Sequence, residues 1–251
     1  MHLDLLIKYI ETTYADTTVR LLSLLMNGEI TYDLLWALFK PNDEIITTCH
    51  GTHKLRCVKY NFGEEKSTRS GSKYWSVGCR YLDFEGEVFG EVSTEFEIPK
   101  FRGVKRINLL EAFPRRYHSD PSRIKADLIQ CGRKFVSLIG SHYRQYQGTA
   151  FFMHKGQSVE VSVDSRVMID AAFFRKINPN YSRLKIAEPA DSIPVVDLWD
   201  LIESADSNRN EIEAPLGQEN KPEEMTDDDF LICCPTVLGF SFADKLWGKI
   251  P

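Results

Sequence analysis

The chain is poor in cysteine, has no phosphate-binding loop and contains no long apolar run. Six cysteines (Cys49, Cys57, Cys79, Cys131, Cys233, Cys234) in 251 residues are too sparse for a disulfide scaffold, and no CxxC knuckle occurs. A reduced intracellular, cytoplasmic setting with free thiols is therefore the expectation. The longest uncharged run, Phe230 to Ala243, is 14 residues and is broken by Pro235 and Gly239. That is short of the ~18 residues a membrane span needs. The start, "MHLDLLIKYIETTY", carries Asp4 and Lys8 within its apolar part and lacks a basic leader, so a secretory signal is not expected there.

Nucleotide chemistry lacks its usual parts as well. A GxxxxGK[ST] loop cradles phosphates with backbone amides while its lysine reaches the terminal phosphate; none is present. "GEEKST", Gly63 to Thr68, keeps a lysine and a serine but has no second glycine. No GxGxxG follows a strand pattern, and there is no HRD or DFG set. No cofactor is expected.

What the chain does have is an ordinary globular composition, 43% hydrophobic, and a very uneven charge. The formal net charge is −5, yet Glu203 to Asp229 alone holds ten acidic residues against Arg209 and Lys221. The rest carries 29 basic and 26 acidic residues, so the acidity belongs to one segment.

Hydrophobic periodicity divides the chain. "LDLLIKYIETTY" and "TTVRLLSLLMNG" repeat as helices, the first with Leu3, Leu6 and Ile10 on one face and the second ending at Gly28. "ITYDLLWALFKP" offers Thr31 as cap and Pro41 as stop. From about Glu44 the period becomes two. "EIITTC" with "KLRCVKYNFG" reads as a hairpin turning at His50–Gly51, and "KYWSVGCRYLDF" with "EVFGEVSTEFEIP" as one turning at Glu85–Gly86.

"SDPSRIKADLIQCGRKFVSLIG" is the clearest helix, with Asp120 as N-cap, Pro121 at the first position and Gly140 at the stop. Ile124, Leu128, Cys131, Phe135 and Leu138 make its apolar stripe. Gly132 inside that stripe costs about 1 kcal/mol against alanine, so another element is expected to pack closely there. "GTAFFM", "QSVEVSVDSRVMID" and "AAFFRKINP" read as strands. The expected fold is α+β: an antiparallel, barrel-like sheet against one long helix, with a short N-terminal helical segment. The expected divisions are 1–41 (helical), 42–187 (core), 188–229 (acidic linker with Pro189, Pro194, Pro215, Gly217 and Pro222) and 230–251. Within the linker, "PVVDLWDLIESA" suits a short helix.

Four stretches invite a chemical reading. "CHGTHKLRC" offers Cys49, His50, His53 and Cys57 as zinc ligands, but the spacing fits a hairpin with buried cysteines and a solvated turn better. "GFSFA" echoes the hydrolase elbow GxSxG with Ala243 in the last position, and none of the six histidines stands out as its base. "TDDD" reads as a solvated acid run. Lys100 to Lys134 carries Lys100, Arg102, Lys105, Arg106, Arg115, Arg116, Arg123, Lys125, Arg133 and Lys134 against three acids. That patch can serve as ordinary surface, as a dock for the acidic segment or a partner protein, or as a phosphate contact. Nucleic acid is disfavoured because the domain as a whole is only weakly basic.

Six segments resemble, in sequence and order, the N-terminal region of a family of fungal AAA-type ATPases. They are "ITYDLLWALFKPND", "RCVKYNFGEEK", "CRYLDFEGEVFGEVSTEFEIPKFRGVKRINLLEAFPRRYH", "CGRKFVSLIGSHYRQYQGTAFF", "VSVDSRVMIDAAFFRKINPNYSR" and "LICCPTVLGFSFADKLWG". In that family an uncharacterised domain precedes the ATPase core. The segment like "FSFADKLWG" there leads into the nucleotide-binding module, whereas the present sequence stops at Pro251. The resemblance thus implies a non-catalytic domain that recognises a partner or substrate protein, or a separate ATPase module. It supplies no nucleotide-binding residue to this sequence. A second expectation, different in class, is a relative recruited as a small-molecule-binding protein or enzyme, in a setting such as fungal secondary metabolism. A cavity of a few hundred Å³ lined by polar groups from several strands would favour it over a filled core.

Overall fold

The computed structural model describes residues 2–49, 52–154, 157–179 and 225–251. The region holding the expected helix "PVVDLWDLIESA" and most of the acidic linker lies outside the described residues.

Two helices, α1 (His2–Thr13) and α2 (Ala15–Met26), lead in. Gly28, at φ +66°, supplies the left-handed turn into strand β1 (Glu29–Thr31). Tyr32–Ala37 then winds as a 3₁₀ helix, not the expected α-helix, and Thr31 does not cap it. The Thr31 hydroxyl instead accepts from Arg20 Nη2 at 3.2 Å. With the hydroxyl turned toward Arg20, no first-turn amide of the 3₁₀ helix donates to it.

Both expected hairpins form. β2 (Glu44–Thr48) pairs antiparallel with β3 (Leu55–Ser67), Thr48 opposite Leu55. Its turn residues, His50 and Gly51, lie outside the described residues. β4 (Lys73–Phe84) pairs with β5 (Phe89–Pro99), Phe84 opposite Phe89, and Gly86 takes φ +111° in the turn. β6 (Val104–Arg106) pairs with β1, and β7 (Ala112–Pro114) with β2. The main sheet has the order β5-β4-β3-β2-β7. Its core includes Ile30, Leu35, Ile45, Ile46, Val58, Val77, Ile98 and Ile107, all fully buried.

α3 (Pro121–Ser137) starts where the Asp120 carboxylate accepts from Arg123 N at 2.9 Å. Ile124, Leu128, Gly132 and Phe135 form its buried stripe. The close approach expected at Gly132 is real: a Cβ there would collide with the Phe230 carbonyl. Phe230 belongs to a five-residue helix, α5 (Asp227–Leu231), begun by a reciprocal cap between Thr226 and Asp229.

β8 (His142–His154) and β9 (Gln157–Ile169) form a long hairpin. "AAFFRKI", expected as a strand, is instead α4 (Ala171–Ile177). Asp170 explains the difference, because its side chain accepts from Phe173 N at 2.7 Å and caps a helix. A short apolar run has no period long enough to separate the two alternatives.

The C-terminal residues fold back as β10 (Val237–Ser241) and β11 (Leu246–Ile250), turning through Lys245 at φ +56°. β10 pairs with β9 and β11 with β8, so four strands close in a ring around Ala150, Phe152, Val163, Val167 and Ile250. The fold is thus α+β with antiparallel sheets, divided between an open five-stranded sheet and this ring.

Candidate functional site

β4 changes partners along its length. It pairs with β3 up to Arg80, but Leu82 then donates from its amide to the Ile232 carbonyl (3.0 Å) and accepts from Cys234 N (2.8 Å). The Ile232–Cys234 segment, held against α3 through α5, thus takes the place of β3 at the end of β4. A cavity of about 320 Å³ opens between the two sheets and the C-terminal end of α3.

Its lining has two characters. Phe84, Phe135, Leu138, Ile139, Ile169, Val237 and Leu238 are apolar; Arg56, Tyr81, Asp83, Arg175, Thr236 and Lys249 are polar. The polar groups come from β3, β4, α4, β11 and the loop before β10. A cavity of this size at a junction of elements is at the small end of ligand-binding pockets.

Arg56 is its most unusual member. The residue is 6% exposed, and neither its Nε nor its Nη2 has a hydrogen-bond partner among the described residues. Its guanidinium carbon lies 3.8 Å from the centre of the Tyr81 ring. That stacking offsets part of the desolvation cost but leaves donors unused. Asp83 does not neutralise it by an ion pair. One Asp83 oxygen accepts from Phe84 N at 2.8 Å, and burial pushes the carboxyl above its ordinary range against the pull of the Phe84 amide, Arg56 and Lys249. Burial likewise pushes the Cys234 thiol up to about 12 and raises the Tyr81 hydroxyl. Three cationic side chains and one reluctant carboxylate leave the lining positive.

The residues singled out by sequence lie elsewhere. Arg115 and Lys125 both engage Glu44, the latter at 3.0 Å. Arg116 engages Asp43 at 2.8 Å and the Leu38 carbonyl at 2.7 Å. Arg123 pairs with Asp127 at 3.8 Å along α3. Arg133 meets Asp227 at 2.6 Å, and Asp228 bridges Lys125 (3.1 Å) and Lys59 (3.6 Å). The end of the acidic run therefore docks on the basic helix. Lys100 sits 5.6 Å from the Tyr32 ring and Lys105 5.7 Å from that of Phe101. Arg102 lies exposed before β6, Arg106 is the exposed last residue of that strand, and Lys134 is exposed on α3. Much of the patch is thus engaged within the fold.

Cys57 and Cys79 are buried thiols in the main sheet, pushed up to about 12 by burial. Of the proposed zinc ligands, His50 lies outside the described residues. Among the described residues no group of His, Cys, Asp or Glu is gathered as a metal site. In "GFSFA" the Ser241 hydroxyl donates to Asp244 at 2.6 Å in the β10–β11 turn. No described helix is long and apolar enough to cross a membrane.

The sequence model of a domain of unknown function, DUF7025, matches residues 20–119. No curated protein and no solved structure matches. The matched stretch contains Arg56, Tyr81 and Asp83; α3, α4 and the ring complete the cavity from beyond it.

Sequence reasoning missed Arg56. Its signal lay in "RCVKY", where Arg56, Val58 and Tyr60 share one face of β3 and all three are buried. A charge aligned with an apolar face was the available clue. Asp83 and Lys249 carried none, because the handover of the β4 edge brings them together across the chain.

Proposed function

We propose that this chain is a non-catalytic recognition module of the kind that stands before an AAA-type ATPase, holding a partner or substrate protein. The resemblance of its ordered segments to that N-terminal region supports the reading, and the DUF7025 match spans the first three of the six segments. The observation that carries it is the α1–α2 arm. α2 buries no residue fully, and Val19, Leu22 and Met26 are 69%, 55% and 88% exposed at helical spacing. Leu5, Ile7 and Tyr9 add to the apolar exposure on α1. Exposed apolar surface of this kind marks protein contacts.

The test uses AAA-type ATPase cores from which the corresponding N-terminal region has been removed. Light scattering should find a stoichiometric complex with the full chain. A Val19→Ser/Leu22→Ser/Met26→Ser variant with unchanged thermal stability should lose it. No complex with any core, or a complex indifferent to the triple substitution, refutes the reading. ATP turnover by the purified chain alone should stay at the buffer level.

A second reading, ligand binding in the interior, is favoured by the cavity beside Arg56. It belongs to a relative recruited as a small-molecule-binding protein or enzyme.

A further inference from the structure

We infer that the cavity between the two sheets is a binding site for a small organic carboxylate, with Arg56 as the residue that holds the acid group. This rests on the second reading above and adds to it the chemical class of the ligand and the anchor.

The case begins with the two donors that lack partners. Nε–H and Nη2–H lie on the same edge of the guanidinium plane and point the same way. Such an edge matches the two oxygens of a carboxylate in a bidentate pair. Both nitrogens are unmatched and closed off even from water, on a residue that is 6% exposed and lines the cavity, so a carboxylate reaches them only when the wall beside Arg56 yields. A buried donor left unused is costly, so a group that satisfies both donors at once is held strongly.

The surroundings favour an anion. Lys249 adds a second positive charge to the lining, and Asp83 is already engaged by Phe84 N. Thr236 also lines the cavity, its hydroxyl 3.5 Å from the Cys234 Sγ. Tyr81 stacks on the guanidinium and holds its plane fixed, so little side-chain freedom remains to be lost on binding.

The apolar part of the lining decides the rest of the ligand. Phe135, Leu138, Ile169 and Val237 present an apolar surface, and the space is about 320 Å³. That suits an acid with a compact aliphatic or aromatic body. A phosphate has three terminal oxygens to satisfy, and the buried edge of Arg56 provides for two. A carboxylate is the better match.

The experiment uses the full chain and four probes: phenylacetate, hexanoate, the neutral 2-phenylethanol, and inorganic phosphate. Ligand-observed NMR and calorimetry report binding. The expected result is saturable binding of phenylacetate or hexanoate, with 2-phenylethanol at least about ten-fold weaker. Arg56→Met should weaken the acid by about ten- to a hundred-fold, the loss of a charge-assisted pair, and leave the alcohol unchanged. Equal binding of acid and alcohol overturns the carboxylate assignment while the cavity reading stands. Binding of phosphate without either acid overturns it too. No binding by any probe overturns both. Should Arg56→Met fail to fold, phenylglyoxal modification of Arg56 in the unsubstituted chain, followed by mass spectrometry, replaces it. Slower modification in phenylacetate supports the assignment, and an unchanged rate overturns it.

Discussion

Replacing Gly132 by alanine sets two physical effects of opposite sign against each other. Within an exposed helix the change would stabilise by about 1 kcal/mol, because alanine loses less conformational freedom on folding. Gly132 is buried, however, and the added Cβ would land on the carbonyl of Phe230. The obstacle is backbone, so no rotamer change relieves it. α5 must move outward or α3 must bend. Overpacking of this kind costs about 1–3 kcal/mol, and a backbone obstacle puts it in the upper part of that range. The net expectation is destabilisation by about 1–2 kcal/mol. In a chain of this size that corresponds to a melting temperature lower by about 2–8 °C. The displaced segment also carries Leu231, Ile232 and Cys233, all buried, together with the Asp227–Arg133 and Asp228–Lys125 pairs. Urea unfolding followed by tryptophan fluorescence measures the change. Gln130→Ala, exposed on the same helix, serves as the control and should be near neutral. A Gly132→Ala chain more stable than the original would show that propensity prevails and that α5 does not lean on α3 as described.

Asp120→Ala removes the acceptor for the Arg123 amide and should lower stability by about 1 kcal/mol in the same assay. Asp83 has a folded-state pKa raised by burial, so the folded chain holds this proton more tightly than the unfolded one. Its contribution to stability is therefore lost as pH rises from the ordinary carboxylate range through the folded value. Asp83→Asn, which keeps an acceptor for Phe84 N, should gain stability relative to the parent over that rise; a constant difference in Tm from pH 3.5 to 7 refutes this. Cys57, Cys79, Cys233 and Cys234, each pushed up to about 12, should resist iodoacetamide at pH 8 until urea unfolds the chain. Mass spectrometry showing native-state labelling at any of the four would contradict their burial.

Local chemistry made some elements legible and long-range contacts hid others. The two hairpins could be read because period two and the glycine at position 86 act over neighbouring residues. α3 could be read because Asp120, Pro121 and Gly140 are local signals. Its Gly132 even announced a close neighbour, since a residue that weakens a helix invites a packing reason. Phe230 as that neighbour was not legible, being almost a hundred residues away. The strand expectation for 171–177 failed at Asp170, whose capping role outweighs the β preference of the phenylalanines. The basic patch was visible as composition. Its engagement with Glu44, Asp43, Asp227 and Asp228 depends on the pairing of β2 with β7 and on the seat of α5, which no run of neighbouring residues encodes.

The same long-range step makes the cavity. β3 and β4 are an ordinary antiparallel pair over most of their length, and if they stayed paired, the space beside Arg56 would be filled by the sheet itself. The Ile232–Cys234 segment takes the β4 edge at Leu82, and Gly132 allows that segment to sit close to α3. β10 and β11 follow directly and bring Val237 and Lys249 into the lining while closing the ring against β8 and β9. One placement therefore leaves Arg56 without an ion pair, supplies another cation and adds apolar lining. A movement of the 230–251 segment against α3 would alter all three at once. Occupancy of the cavity and the seating of α5 are coupled for that reason, and an acid bound at Arg56 should protect the amides of Leu82 and Cys234 from hydrogen exchange. Unchanged exchange at both amides in saturating phenylacetate would separate the cavity from the segment that forms its wall.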